Sequence, residues 1–191
     1  MKKEIITISG SLGGGKSSTA DLVARNLGYQ RFSSGDFFRK IGLELGISVN
    51  EANKKAEVDL IMDKKTDEEV TRVGKEMNKF VIDGHIAFYF IPESFKVFLN
   101  LPPEIAKDRI LNNLKDNPLR KESEDSSTPE EIYEKITKRL AMEKSRFKKI
   151  YNLEDYTDPK HFDLVVDTNK NNLEEVVDII VTEYKKWIKE N

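Results

Sequence analysis

The run Gly10-Ser11-Leu12-Gly13-Gly14-Gly15-Lys16-Ser17 carries the spacing G-x-x-x-x-G-K-[ST] in full. That spacing suits a phosphate cradle. Glycines let the chain curl so that successive backbone N–H groups face inward and form a concave anion site. A helix opening at Lys16 adds its positive end. Lys16 would then reach the β- and γ-phosphates of a nucleoside triphosphate such as ATP, the Ser17 hydroxyl would ligate Mg²⁺, and Ser18 would close the site in the first helical turn. A glycine-rich turn can match such a pattern by chance. Here an apolar strand pattern precedes the run and an amphipathic helix pattern follows it, which is the context the chemistry requires.

A second constellation follows in Phe32-Ser33-Ser34-Gly35-Asp36-Phe37-Phe38-Arg39. Ser34, Asp36 and Arg39 stand where a short strand turns into a helix, a place suited to an anion. Arg39 offers a planar fork of donors that matches a phosphate. The alternative is that Ser34 only caps the helix and Arg39 is solvated. Further on, Asp83 ends the apolar run Phe80-Val81-Ile82-Asp83 and is followed by Gly84 and His85. An acid at that place can hold Mg²⁺ through water, or merely cap the next turn. Ser34, Asp36 and Arg39 are therefore the candidates for a second anion site, with Ser17 and Asp83 as the metal candidates.

The third constellation is a helical stripe: Ile132, Ile136, Arg139, Glu143, Arg146 and Ile150 recur at steps of three and four. The stripe starts apolar and turns charged, as expected of a helix running from a core into a cleft. Several cations around a transferring phosphoryl group would serve the transfer. Arg139 and Glu143 can equally form an ordinary i,i+4 surface pair worth a few tenths of a kcal/mol. Arg109, on a helix opened by Pro102-Pro103, is a further cationic candidate. Arg120 and Lys121 lie in the polar stretch Lys115–Thr128 and could close over ATP as a lid. Asp59, Asp63 and Asp67, spaced by four, either face the acceptor or form a solvated acidic face. His85 and His161 show no metal-ligand spacing.

These residues need a scaffold, and the apolar runs supply one. Ile5–Ile8, Phe80–Asp83, Phe95–Leu99 and Phe162–Val166 read as strands, with a shorter one near Gln30–Ser33. Helical patterns lie between them, so the fold expected is a parallel α/β sheet. None of the runs alternates cleanly, which points to strands covered on both faces. Ala20, Val23, Ala24 and Leu27 keep helical spacing and end at Gly28. Leu173, Val176, Val177, Ile180 and Tyr184 form a stripe behind Asn171 and Asn172 as cap candidates. Thr128-Pro129-Glu130-Glu131 reads as a capping box with proline at the first helical position. Residues 48–79 read as mostly helical, and the aromatic stretch 86–94 either walls a base pocket or packs.

The 191 residues fit one domain over 1–191, with an acceptor-binding insertion at 34–79 and a lid at about 112–130. A net charge of −2 argues against a nucleic-acid binder. No run approaches the roughly 20 apolar residues of a membrane span, and none resembles a signal peptide. Zero cysteines exclude disulfides, thiolate metal sites and thiol nucleophiles. A cytoplasmic monomer acting on small molecules is the expectation.

Ser34-Gly35-Asp36-Phe37-Phe38-Arg39, together with the phosphate loop and Val81-Ile82-Asp83-Gly84, resembles the nucleoside monophosphate kinases. The segment Lys138–Tyr151 and the strand Phe162–Thr168 are similar to those of short, archaeal-type cytidylate kinases. The resemblance implies a three-layer α/β/α P-loop fold with a five-stranded parallel sheet plus helical acceptor-binding and lid insertions. It also implies ATP and Mg²⁺ as cofactors, CMP or dCMP as acceptor, Arg39 on the acceptor phosphate, and Ser34, Asp36, Asp83, Gly84 and His85 around it. One departure stands out: where cytidylate kinases carry Gly-Arg after the third strand, this chain has Asp83-Gly84-His85. Two other readings of the loop remain open. One is a kinase of a small alcohol metabolite with Asp36 as general base. The other is a regulatory NTPase, against which Thr168-Asn169-Lys170-Asn171-Asn172 lacks the aspartate of a guanine-reading motif.

Overall fold

The computed structural model of the chain describes residues 4–46, 61–116 and 128–190. Five strands form one parallel sheet: β1 (Ile5–Gly10), β2 (Gln30–Ser33), β3 (Phe80–Asp83), β4 (Phe95–Asn100) and β5 (Leu164–Asp167). Their order is β2-β3-β1-β4-β5. Seven α-helices accompany them among the described residues: α1 (Lys16–Leu27), α2 (Ser34–Glu44), α3 (Ile61–Glu76), α4 (Ala87–Phe90), α5 (Pro103–Asp116), α6 (Pro129–Tyr151) and α7 (Leu173–Glu190). The expected α/β/α arrangement is what forms. Residues 47–60 and 117–127 lie outside the described residues, and with them Asp59, Arg120, Lys121 and most of the expected lid.

The sheet is covered on both faces, and the alternation of β1 shows how. Ile6 and Ile8 point to the side of Ala20, Val23, Val176 and Ile180, on α1 and α7. Ile5 points to the side of Val70, Val73, Ala87 and Ile91, on α3 and α4. All six β1 residues are buried, so no polar alternation survives in the strand. The polar ones are satisfied internally: Thr7 and Ser94 share a hydrogen bond of 2.9 Å, and Ser9 donates to the Gly84 carbonyl at 2.9 Å.

Helix ends follow the local signals. Gly28 ends α1 in the left-handed region at φ 66° and returns its N–H to the last turn. Thr128 and Glu131 form the expected capping box of α6. Asn172 and Glu175 make a second reciprocal pair at the head of α7, at 3.0 and 2.8 Å. The aromatic stretch after β3 mostly packs: Phe88 is buried against Phe147, Leu153 and Tyr156, with Phe162 and the His161 ring against it. His161 is a packing residue there.

Because β1 is flanked by β3 on one side and β4 on the other, the connections diverge at its carboxyl end and open a crevice there. The phosphate loop follows β1, α2 follows β2, and Asp83 ends β3, so all three reach that crevice.

Candidate active site

The loop after β1 turns through left-handed glycines, with φ 73° at Gly13 and 82° at Gly15, where a side chain would be strained. Gly15 is the cap residue of α1, so the helix opens directly onto the loop. Ser11 N–H donates to the Leu99 carbonyl at 3.0 Å, and the Ser11 hydroxyl accepts from Leu101 N–H at 3.2 Å, pinning the loop to β4. Lys16 folds back across it: Nζ donates to the Gly10 and Ser11 carbonyls at 2.8 and 3.1 Å. Burial is the main reason the Lys16 ammonium is pulled down to about 8. Arg139 adds to the fall, while Glu143 and Asp83 oppose it.

Asp83 is the meeting point of the cleft. Its Oδ2 accepts from Ser17 Oγ at 3.1 Å and from Ser33 Oγ at 3.3 Å, and its Oδ1 accepts from Arg31 Nη2 at 2.8 Å. Parallel pairing makes this possible, since the β2–β3 register sets Ser33 beside Asp83. Ser34 is the first residue of α2, and its hydroxyl donates to the Asp83 carbonyl at 3.3 Å. That corrects the capping alternative: the cap position belongs to Ser33, and neither serine caps the helix through its side chain. Gly84 must lack a side chain, because a Cβ there would overlap Ser34 Oγ. Arg39 curls back over the first turn of α2 and pairs with Asp36, whose other oxygen accepts from Arg31 Nη1 at 3.1 Å. The loop after β1 and the first turn of α2 are thereby brought to opposite sides of one carboxylate.

The charged half of the α6 stripe closes the third side. Glu143 is buried at 7% exposure and accepts from Arg139 Nε at 2.9 Å and from the Tyr156 hydroxyl at 2.8 Å. His85 Nδ1 lies 3.4 Å from the same carboxylate. Burial works to raise Glu143, but the Arg139 charge and the hydrogen bonds from Arg139 and Tyr156 oppose it, and the carboxyl is held low. His85 is pushed down to about 3, mainly by burial and then by Lys16, with only partial relief from Glu143. It therefore stands in this cleft as a neutral imidazole and not as a substitute cation for an arginine. Arg146 pairs with Asp63 on α3 at 3.3 Å, and burial raises the Asp63 carboxyl despite it.

Asp67 is raised to about 6, again chiefly by burial, and accepts from the Tyr151 hydroxyl. Asp63 and Asp67 thus face α6 and not open solvent. Phe90 and Tyr151, with Lys64, Asp67, Thr71 and Arg72, line an open groove of about 510 Å³ along α3. Arg109 is brought elsewhere: its guanidinium donates to the Thr168 carbonyl and hydroxyl, bracing α5 against the end of β5.

Two residues of this cluster have no counterpart among the sequence candidates. They are Arg31, within β2, and Tyr156, beyond the end of α6. The signal for Arg31 is its place two residues before Ser33, hence on the same face of β2 and beside the strand that ends in Asp83. Tyr156 lies in the coil beyond α6 and carries no comparable signal.

Comparison with known proteins agrees with this geometry. Residues 5–170 match the model of the cytidylate kinase-like family. A cytidylate kinase of Sulfurisphaera tokodaii is 34% identical over 92% of this chain and 92% of its own. A cytidylate kinase of Methanocella arvoryzae is 31% identical over 95% of this chain and 99% of its own. Among solved structures, a shikimate kinase from Bacteroides thetaiotaomicron superposes with a TM-score of 0.65 at 14% identity, covering 95% of this chain and 98% of its own, and so speaks for the fold alone. A match across nearly the whole chain means that the chain belongs to the cytidylate kinase-like family and is a nucleoside monophosphate kinase.

Proposed function

We propose that the chain transfers the γ-phosphoryl group of ATP directly to CMP or dCMP, giving the diphosphate. The observation that supports this most is the sharing of Asp83 between Ser17 of the donor loop and Ser33 at the acceptor helix, at 3.1 and 3.3 Å. Two anion sites joined through one acid suit a reaction that aligns two phosphates.

In this reading the ATP phosphates lie in the loop Gly10–Ser18, with Lys16 leaving its carbonyl partners to reach them. Ser17 and Asp83 fit Mg²⁺: a hydroxyl and a carboxylate are hard oxygen donors, and Mg²⁺ commonly takes one or two protein ligands plus phosphates and water. When bound, the metal would neutralise charge on the β- and γ-phosphates. Arg39 would hold the acceptor phosphate over the first turn of α2, with Ser34, Asp36 and Gly84 shaping that turn. Arg139 and Arg146 would spread over the transferring group as α6 and α3 close, and Arg120 would join from the lid. Arg109 keeps its bracing contact. No general base is needed, since a phosphate monoester with a second pKa of about 6 is already a nucleophilic anion at neutral pH. Alignment and charge stabilisation then carry the rate. Neutral His85 can donate one hydrogen bond to the acceptor without adding charge.

The test is ADP release from MgATP with CMP, dCMP, UMP, AMP, a panel of small alcohols, or no acceptor. Acceleration by CMP or dCMP alone is expected. ADP released equally fast without acceptor would refute a kinase reading, and acceleration by an alcohol alone would transfer the case to Asp36 as base. Arg39→Ala should raise acceptor KM or lower kcat by about 10- to 100-fold, with ATP affinity nearly intact. A selective loss of ATP affinity would sink the assignment of Arg39.

A further inference from the structure

Arg31 sits among three carboxylates carried by three different elements. Nη2 meets Asp83 of β3 at 2.8 Å, Nη1 meets Asp36 of α2 at 3.1 Å, and Nε lies 3.4 Å from Asp21 of α1. The two ends of this bridge differ in stiffness. The Asp83 side chain is 7% exposed, whereas Asp36 and Arg39 are 51% and 55% exposed. Asp36 is also divided, giving one oxygen to Arg31 and the other to Arg39.

We propose that Arg31 is a positioning residue that couples occupancy of the acceptor site to the availability of Asp83 for a divalent cation. In the geometry seen here the guanidinium lies on Asp83 and supplies positive charge beside the place where the metal would bind. When an acceptor phosphate draws Arg39 away, both oxygens of Asp36 become free for the planar fork of Arg31, which then favours a bidentate pair with Asp36. Its hold on Asp83 loosens, and the carboxylate regains its charge toward the metal. By linkage the effect is reciprocal: metal on Asp83 releases Arg31 to Asp36 and frees Arg39 for the acceptor. The inference rests on the proposed acceptor and metal sites and adds a residue and a route that join them.

Calorimetric titration of a non-hydrolysable ATP analogue into the intact chain tests this, in magnesium or in EDTA, each with and without saturating CMP. In the wild type CMP should tighten analogue binding about five-fold in magnesium and leave it unchanged in EDTA. In Arg31→Met the competing charge is gone, so the analogue in magnesium should bind without CMP as tightly as the wild type does with it, and CMP should add less than about two-fold. In Asp36→Asn the pull on Arg31 is lost instead, so coupling should vanish at the weaker level of affinity. A residue with only a structural role would weaken binding in both variants and could not produce opposite levels. An unchanged five-fold factor in Asp36→Asn overturns the inference, even if Arg31→Met fails to fold. So does equal coupling in EDTA, or no coupling in the wild type. If none of CMP, dCMP, UMP and AMP binds in EDTA, the acceptor reading itself fails, an outcome distinct from binding without coupling.

Discussion

Tyr156→Phe tests whether the buried Glu143 carboxylate organises the charged side of the cleft. The substitution removes one hydroxyl and leaves the ring, so packing against Phe147 and the T-shaped contact with the His85 ring are kept. What is lost is the 2.8 Å hydrogen bond to Glu143 Oε2, between side chains that are 2% and 7% exposed. A hydrogen bond to a charged group contributes about 1.5–3 kcal/mol, and a neutral one about 0.5–1.5 kcal/mol. Tyr156→Phe should therefore cost about 2 kcal/mol in the wild type, but only about 1 kcal/mol in a Glu143→Gln background, a coupling of about 1 kcal/mol in the double-mutant cycle. Urea unfolding at pH 7.5 measures all four corners. Glu143 is held below its ordinary value, so its share of this stability is present above about pH 4.5 and is lost as pH falls through the lowered value. The cycle should shrink accordingly in acid. Equal costs of Tyr156→Phe in both backgrounds would refute the charged hydrogen bond as the organising contact.

Three further outcomes follow from the same geometry. Lys16 at about 8 must be protonated to hold phosphate, so metal-free ADP binding should weaken as pH rises from 8 to 9.5, read by calorimetry; a flat profile would place Lys16 near its ordinary 10.5. The same lowered value means that this group adds stability as pH rises from about 8 to 10.5, because the unfolded chain then binds more protons. Asp67 is raised to about 6, so Asp67→Asn, which keeps an acceptor for Tyr151, should stabilise the fold at pH 7.5 by on the order of 1 kcal/mol. That gain should open between pH 4 and 6 and stay level above; a destabilised variant at pH 7.5 would contradict it. Gly84→Ala drives a methyl group into Ser34 Oγ, and overpacking of this kind costs about 1–3 kcal/mol. It should also raise acceptor KM more than donor KM, since α2 starts at Ser34, and equal effects on both would argue against that division.

What could be read from the chain alone was whatever is local. The phosphate loop is a contiguous pattern whose glycines, lysine and serine act within eight residues, and its φ values are those the pattern demands. The Thr128 capping box is legible for the same reason, as its two hydrogen bonds span three residues. The stripe on α6 could be drawn from its period, but not the state of its charges. Glu143 reads as a surface partner for Arg139 until a tyrosine 13 residues downstream and a histidine from the β3 loop enclose it. His85 likewise stands where the family carries an arginine, and only its burial beside Lys16 shows that it is neutral.

Arg31 illustrates why the remainder was hidden. It is 52 residues from Asp83 and five from Asp36, and its one local signal, the step of two to Ser33, gains meaning only once β2 is known to pair with β3. Its role arises from strand order: placing β2 beside β3 rather than beside β1 sets its guanidinium within reach of the acid that also faces Ser17. A kinase of two phosphates must keep like charges close without metal or substrate present. In the cleft Asp83 is met by an arginine, Asp36 by two, Asp63 by Arg146 and Glu143 by Arg139. Each of these carboxylates therefore holds at least one cation of the cleft in place. On the proposed function the substrate phosphates would compete with these carboxylates for the same arginines, while removing a buried one such as Asp83 or Glu143 would leave an arginine without its partner.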